Sequence, residues 1–187
     1  MNRKFLRWTL VGMVALVTLG AVAPGVMANL GLEISLVSPT SLAGAKTSAG
    51  WCRDRGVSVV VDFGQQSGKP IQVSCVVGPK LTGWDLLTAA ELGPVGTAQY
   101  PTGFVCRLAN FPPANTQDCS DTPTYSEGTW AYYFATAEAG NHWMFSGAGS
   151  QQRSPDCGTV EGWVFELNHT DGLADGPRIK PEAFRCR

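Results

Sequence analysis

The chain has 187 residues and a formal net charge of −1, and its Lys and Arg form no cluster after residue 28. This charge pattern argues against nucleic acid and anionic membrane surfaces as main partners, which both select clustered basic residues. The length is enough for one domain with a hydrophobic core, and the 22 glycines and 12 prolines indicate many turns.

The first 28 residues predict a signal peptide. Basic residues open the segment, Thr9–Val22 is apolar, and Val26–Ala28 resembles a signal peptidase site. The alternative is an uncleaved membrane anchor, because the apolar run is about long enough to span a bilayer. Pro24 interrupts the run and favours cleavage. Cleavage would remove three basic residues and no acidic one, which leaves a formal charge of −4 and no membrane association.

The remainder divides into three predicted parts. Residues 29–50 are rich in Ser, Thr, Gly and Ala and predict a flexible leader. Residues 51–167 predict the folded domain. Residues 168–187 are polar and contain proline, so we expect a loose C-terminal tail that is tied to the domain by Cys186.

The predicted domain opens with two strands. Gly56–Phe63 and Ile71–Val77 are rich in β-branched residues, and the turn-forming segment Gly64–Pro70 lies between them. This pattern predicts an antiparallel hairpin.

One main helix follows the hairpin. Thr82 can cap its start, Asp85 lies in its first turn, and the Gly-Pro pair after Leu92 ends it. Short strand-like runs separated by turn residues come next: Gly103–Leu108, Thr129–Thr136, His142–Ser146 and Thr159–Phe165. Because the order is strand, strand, helix and then several strands, we predict an α+β fold with an antiparallel or mixed sheet.

All six cysteines follow the predicted signal peptide, which indicates an oxidising, extracytoplasmic location and a domain stapled by disulfides. Six cysteines allow fifteen pairings. In the predicted hairpin the ends carrying Cys52 and Cys75 are neighbours, which favours that bridge. Cys106 and Cys119 flank a proline-rich loop, and Cys157 and Cys186 remain to fix the tail. Since the chain has no Cys-x-x-Cys pair and no histidine at ligand spacing, we expect neither a metal nor a redox cofactor.

Catalytic groups are sparse in the sequence. A hydrolase would need a base, and the only histidines are His142, in a predicted turn, and His169, in the tail. Ser146–Ser150 resembles a nucleophile elbow only in its glycine content. The carboxylates are scattered, and Glu161, beside an aromatic strand, is interpreted as part of a solvated strand face. We therefore expect a protein that is not an enzyme, with a small secreted hydrolase using His142 as the alternative.

Aromatic residues on three consecutive predicted strands are the strongest remaining signal. Alternate side chains of a strand share a face, so Trp130 lies with Tyr132, and Trp163 lies with Phe165. Trp143 and Phe145 share a face by the same rule. These aromatics either form a core of cross-strand pairs or line a binding surface. As ligand-binding candidates the sequence indicates Trp130, Tyr132, Trp143 and Trp163.

Six segments of the sequence form a pattern through their order along the chain. They are Gly56–Gly64, Thr82–Ala90, Gly103–Leu108, Trp130–Tyr133, Trp143–Gly149 and Val160–Phe165. Residues Trp51–Glu166 thereby resemble secreted actinobacterial proteins whose domain is similar to the C-terminal, β-grasp-like domain of the transcobalamin and intrinsic factor group. The resemblance implies a β-grasp-like fold and binding without turnover, in some cases linked to vitamin or metal uptake. It carries over no cobalamin contact, because those come largely from a helical domain for which this chain is too short.

Two classes of function follow from these observations. The favoured hypothesis is a secreted, monomeric module at the cell envelope that binds a small molecule or an envelope protein on its aromatic strands. The other is the small hydrolase. A purely structural or adhesive envelope domain is a third interpretation, close to the first.

Overall fold

The computed structural model describes residues 42–167 and 175–186. The predicted signal peptide and residues 29–41 of the predicted leader lie outside the described residues, as does residue range 168–174 of the tail. Among the residues described, no helix is long and apolar enough to cross a membrane.

The described residues form a mixed, mostly β structure with one α-helix, as the sequence predicts. Six strands build one sheet in the order β1-β3-β2-β8-β6-β7, in which β2 and β8 are parallel and all other neighbours are antiparallel. Strands β4 and β5 form a separate antiparallel pair. The elements are β1 (Lys46–Ala49), β2 (Val57–Asp62), β3 (Gln72–Val77), α1 (Gly83–Ala89), β4 (Val95–Gly96), β5 (Val105–Arg107), β6 (Thr129–Ala135), β7 (Met144–Phe145) and β8 (Val160–Glu166).

The predicted hairpin is confirmed. Strands β2 and β3 pair from Val57↔Val76 to Val61↔Gln72. The turn between them places Gly64 and Gly68 at positive φ, which glycine adopts without steric cost. Every residue of β2 is buried, because β3 and β8 flank the strand and both faces of the sheet are covered.

The helix begins where the sequence predicts and ends earlier. The Thr82 side chain accepts from the Asp85 backbone N–H, and the Asp85 carboxylate accepts from Thr82 in return, so the two form a capping box. The last helical residue is Ala89, before Glu91 turns to φ 58°. Leu86 and Leu87 are buried against the sheet.

The two faces of the sheet have different covers. Helix α1 packs on one face, which we call the helix face; it presents Val59, Trp130, Tyr132 and Trp163. Residues 175–186 cover part of the opposite face, which we call the tail face; it presents Val60, Ala135 and Val160, with Ile179 and Ala183 from the tail packed against them.

Two predicted boundaries differ from the structure. Lys46–Ala49, assigned to the flexible leader, pairs with β3 as an edge strand. All four residues are exposed, so the strand has no apolar alternation that could reveal it in the sequence. The described part of the tail is also packed rather than loose. Arg178 bonds to buried Asp62, and the Ile179 carbonyl accepts from the Trp143 indole at 2.8 Å.

All three predicted disulfides are present: Cys52–Cys75, Cys106–Cys119 and Cys157–Cys186. The first joins the open ends of the β2–β3 hairpin, the second closes the proline-rich loop, and the third fixes the C-terminal segment beside β8. Each covalent restraint of this kind contributes about 2–4 kcal/mol to stability.

Candidate ligand-binding cavity

A cavity of about 610 Å³ lies beside β6, beyond the point where the short strand β7 ends. Four consecutive residues of β6, Thr129–Tyr132, form one wall. The loop Ser146–Ser150 that follows β7 forms another. The other lining residues come from two further loops and from β7 and β8: Gly103–Val105, Thr122–Tyr125, Phe145, Trp163 and Glu166.

The aromatic floor is set by the pairing of β6 with β8. Tyr132 lies directly opposite Trp163, and their rings stack with centroids 4.4 Å apart and an interplanar angle of 8°. Trp130 lies opposite Phe165 and contacts it edge to face at 5.5 Å. The Trp130 indole N–H donates to the Phe111 carbonyl at 3.3 Å. Cross-strand pairing therefore fixes the two β6 rings that line the cavity, those of Trp130 and Tyr132.

Three of the four predicted binding residues line this cavity together, and Trp143 does not. Trp130, Tyr132 and Trp163 share the helix face, whereas Trp143 packs on Val164 and Tyr133 of the tail face. A Cβ on Gly162 would lie 2.6 Å from the Trp143 ring, so the indole rests directly on the backbone of β8. Trp143 precedes β7, and its position on the tail face is set by its contacts with β8 and by the hydrogen bond from its indole N–H to the Ile179 carbonyl.

Most of the aromatic surface is core, and two exposed aromatic residues line the cavity. Trp163 is only 1% exposed, and Trp130 and Tyr132 are also buried. Tyr125 is 63% exposed and Phe145 is 45% exposed, and both line the cavity. The cavity thus has a fixed aromatic floor and an accessible apolar rim.

Hydrogen bonds fix both ends of the glycine-rich loop Ser146–Ser150. The Ser146 N–H donates to the Tyr132 carbonyl at 2.8 Å, and the Ser150 hydroxyl donates to the Thr102 carbonyl at 3.1 Å. The Ser150 carbonyl accepts from the N–H of Trp84 in helix α1. The sequence marks this segment only as a turn, and its place beside the aromatic strands depends on these contacts with residues distant in sequence.

A buried ionic network lies next to the floor, on the helix face. Glu161, interpreted from the sequence as part of a solvated face, is fully buried. Arg153 donates to both its oxygens at 2.9 and 3.1 Å, and the Tyr132 hydroxyl also donates to it. The Arg153 guanidinium stacks on the Phe134 ring at 3.7 Å. Because Arg153 follows the Ser146–Ser150 loop, the network ties this cavity wall to the sheet.

The protonation states in this network follow from burial. Burial raises the pKa of the Tyr132 phenol far above its ordinary value, and the adjacent Glu161 carboxylate raises it further. Burial also raises the pKa of Glu161, although the hydrogen bonds from Arg153 oppose the shift. Tyr132 is therefore a neutral hydrogen-bond donor at every physiological pH.

Glu166 is the acidic residue of the cavity wall. Its carboxylate accepts from the Tyr133 hydroxyl at 3.4 Å. Burial, followed by the charge of Glu166, raises the pKa of Tyr133. None of the described lining residues is Lys, Arg or His, so the described wall supplies no positive charge to the cavity.

The structure does not place His142, the histidine among the described residues, in the cavity. His142 is exposed, lies outside the cavity lining, and its side chain makes no hydrogen bond to another described residue. His169 lies outside the described residues. Within ranges 42–167 and 175–186, no cluster of three His, Cys, Asp or Glu residues could hold a metal ion.

Comparison of the chain with known protein families, with curated proteins and with solved structures finds no match.

Proposed function

We propose that this chain is an extracytoplasmic, non-catalytic binding domain that holds a small, largely apolar molecule in the cavity beside β6. The observation that carries the proposal is the combination of a fixed aromatic floor with an exposed aromatic rim. The floor is the stacked pair Tyr132 and Trp163, and the rim is Tyr125 and Phe145. Aromatic walls with a few polar groups are typical of small-molecule sites.

The size and rigidity of the cavity support a ligand rather than a packing defect. Its volume of about 610 Å³ lies within the range of roughly 300–1,000 Å³ usual for ligand pockets. Its walls are held by cross-strand pairing, by the Ser146–Ser150 loop contacts and by the Arg153–Glu161 pair. A preformed site loses little conformational entropy when it binds.

The arrangement of the sheet supports a β-grasp-like assignment. A hairpin, β2–β3, is followed by helix α1 and then by β6, β7 and β8. The first strand of the hairpin, β2, and the last strand of the described residues, β8, lie side by side and parallel at the centre of the sheet. This arrangement supports only the fold part of the proposal, and binding without turnover at the cell envelope is what the family resemblance implies.

Three disulfides support the extracytoplasmic part of the proposal, because such bridges persist mainly in oxidising compartments. The apolar N-terminal segment of the sequence is consistent with export.

Binding of the uncharged fluorophore N-phenyl-1-naphthylamine tests the proposal. We expect saturable fluorescence enhancement with the wild-type protein. Gly147 lines the cavity, and a Cβ there would contact nothing within 4 Å, so Gly147→Trp places an indole at the mouth without a backbone clash. We expect this change to weaken binding about tenfold or more, by occlusion.

Ala114→Trp is the matched control, because Ala114 is exposed in the proline-rich loop and does not line the cavity. It should bind the fluorophore like the wild type. Unchanged binding by Gly147→Trp would show that the fluorophore binds elsewhere, and equal weakening in both variants would show that the loss does not come from occlusion of the cavity. No saturable binding by the wild type would overturn the small-molecule proposal in favour of a protein partner.

A further inference from the structure

The cavity beside β6 runs along the edge of that strand. Four consecutive residues of β6, Thr129–Tyr132, line it. Because successive side chains of a strand point to opposite faces, a cavity over one face of the sheet would be lined by alternate residues only. The lining therefore places the cavity at the strand edge, where β7 would lie if it were longer.

The pairing of the strands directs the main-chain groups of Trp130 toward this edge. In an antiparallel sheet, residues that exchange hydrogen bonds with one neighbouring strand alternate with residues that face the other side. The Tyr132 carbonyl accepts from the Ser146 N–H, so Tyr132 faces the β7 side, and Trp130, two residues earlier, faces the same way. Phe165, the β8 residue opposite Trp130, turns its carbonyl away from β6, to within 2.6 Å of where a Cβ on Gly64 would lie.

The main-chain N–H and C=O of Trp130 have no hydrogen-bond partner within residues 42–167 and 175–186. By the register of β6 and β7, Ala148 would lie opposite Trp130 if β7 continued. Instead, the Ala148 carbonyl accepts from the Ser146 hydroxyl at 2.8 Å, and the chain turns toward helix α1. The strand edge therefore offers one donor and one acceptor to a molecule in the cavity.

This open position is one residue long. On one side of it, the Tyr132 carbonyl is bonded to Ser146. On the other side, the Gly128 N–H donates to the Thr124 carbonyl at 3.2 Å, and the Gly128 carbonyl accepts from the Gln117 side chain at 3.0 Å. A peptide strand that added to β6 past either end would have to displace these bonds. The edge therefore fits a single residue and not a longer strand.

We infer that the ligand of this cavity is an uncharged amino acid derivative, acylated at its nitrogen and blocked at its carboxyl group, which pairs with Trp130 like one residue of an antiparallel strand. In such a pair the N–H and C=O of one ligand residue bond to the C=O and N–H of Trp130. The inference rests on the proposed binding function and specifies the chemical class of the ligand.

The surroundings of the open position define the rest of the ligand. Cross-strand neighbours share a face, so the ligand side chain lies on the helix face with Trp130, where Val105 of the apolar core also lines the cavity. This environment selects an apolar side chain. The described lining residues include no basic side chain, so a free carboxylate would lose its hydration without gaining a counter-charge from them.

Displacement of N-phenyl-1-naphthylamine by two matched compounds tests the inference. N-acetyl-L-phenylalanine methyl ester has both the donor and the acceptor. The methyl ester of O-acetyl-L-3-phenyllactic acid has the same shape, with an ester oxygen in place of the N–H. We expect the amide compound to bind the wild-type protein roughly threefold to tenfold more tightly than this analogue. Equal binding would overturn the inference.

A longer compound tests the limit to one residue. The methyl ester of N-acetylalanyl-phenylalanyl-alanine has the same central residue with one further residue on each side. Because both ends of the open position are closed by hydrogen bonds, it should bind no more tightly than the single-residue ester. Tighter binding would overturn the limit to one residue and favour addition of a longer strand.

Hydrogen exchange of individual amides, measured by NMR on the wild-type protein, assigns the pairing to Trp130. Saturation with the amide compound should slow exchange of the Trp130 amide, which then donates to the ligand carbonyl. Ala131 is the matched control, because its N–H faces β8 with or without the ligand. Since any ligand stabilises the whole fold, Ala131 can slow as well, and we expect Trp130 to slow about tenfold more. Equal slowing of both amides would overturn the assignment.

The outcomes separate this inference from the proposed function. If the fluorophore binds and the two matched compounds displace it equally, or neither displaces it, the inference fails and the binding function stands. If the fluorophore does not bind at all, both fail.

Discussion

Asp62, at the end of the central strand β2, is fully buried and forms a salt bridge with Arg178 of the C-terminal segment. The Arg178 guanidinium donates to the carboxylate at 2.6–3.2 Å, and the Arg178 backbone N–H donates at 2.8 Å. The two residues are 116 positions apart. One ion pair therefore connects the centre of the sheet to the end of the chain.

Arg178→Gln should lower the free energy of unfolding by about 2 kcal/mol, because it leaves the Asp62 carboxylate buried without its counter-charge. We expect a smaller loss of stability than for a fully buried ion pair, since the Arg178 side chain is 41% exposed and water screens its charge. Urea denaturation followed by tryptophan fluorescence measures the change. Arg53→Gln is the control, because its pair with Glu182 is exposed, and it should cost under about 0.5 kcal/mol. Equal losses would contradict the prediction.

The contribution of this pair should depend on pH. Burial acts to raise the pKa of Asp62, but the hydrogen bonds from Arg178 and Gly64 outweigh it and hold the pKa below the ordinary value of 3.8. A carboxylate with a lowered pKa stabilises the fold above its unfolded pKa, and this stability is lost as the pH falls through the folded pKa. The stability gap between the wild type and Arg178→Gln should therefore shrink as the pH falls from neutral toward the lowered pKa of Asp62 in the wild type. A gap that widens in acid would refute the assignment.

The Arg153–Glu161 pair should show strong energetic coupling. Arg153→Met leaves Glu161 fully buried without its partner and should cost about 3 kcal/mol. Glu161→Met should cost less, because Arg153 retains some exposure to water and its contact with Phe134. In the double variant no unpaired charge is left, so its loss should be smaller than the sum of the single losses by about 1 kcal/mol or more. Additive losses in a double-mutant cycle would show that the pair is not coupled.

Gly162→Ala should destabilise the fold by about 1–3 kcal/mol through overpacking. The new Cβ would lie 2.6 Å from the Trp143 ring and 3.0 Å from Pro177, so the indole must move off β8. Thermal unfolding measures the loss, and a change in tryptophan emission would report the displaced ring. Gly147→Ala adds the same methyl group where nothing lies within 4 Å, and it should change stability by less than about 0.5 kcal/mol.

The elements that local sequence determines are the ones that could be predicted. The β2–β3 hairpin has β-branched strands and a glycine turn, and α1 has a capping box at Thr82 and Asp85. The Cys52–Cys75 bridge followed from the hairpin. Alternation along β6 and β8 correctly placed Trp130 with Tyr132 and Trp163 with Phe165.

The remaining features depend on contacts between distant residues. Glu161 is polar in the sequence, and its burial requires Arg153, which the fold brings to it from the preceding loop. Alternation relates residues only within a strand, so it could not show that Trp143 lies on the opposite face from Trp130. The cavity itself depends on β7 being only two residues long, a boundary that no residue in His142–Ser146 signals.

Strand β8 lies between β2 on one side and β6 on the other, and it is the last strand in chain order among the described residues. Without it, β1, β3 and β2 would form one ribbon, and β6 and β7 would form another with no shared edge. A nascent chain that ends before Val160 therefore has two incomplete half-sheets with exposed apolar faces. Formation of the whole described sheet therefore joins residues far apart in sequence and can be completed only after β8 has been synthesised.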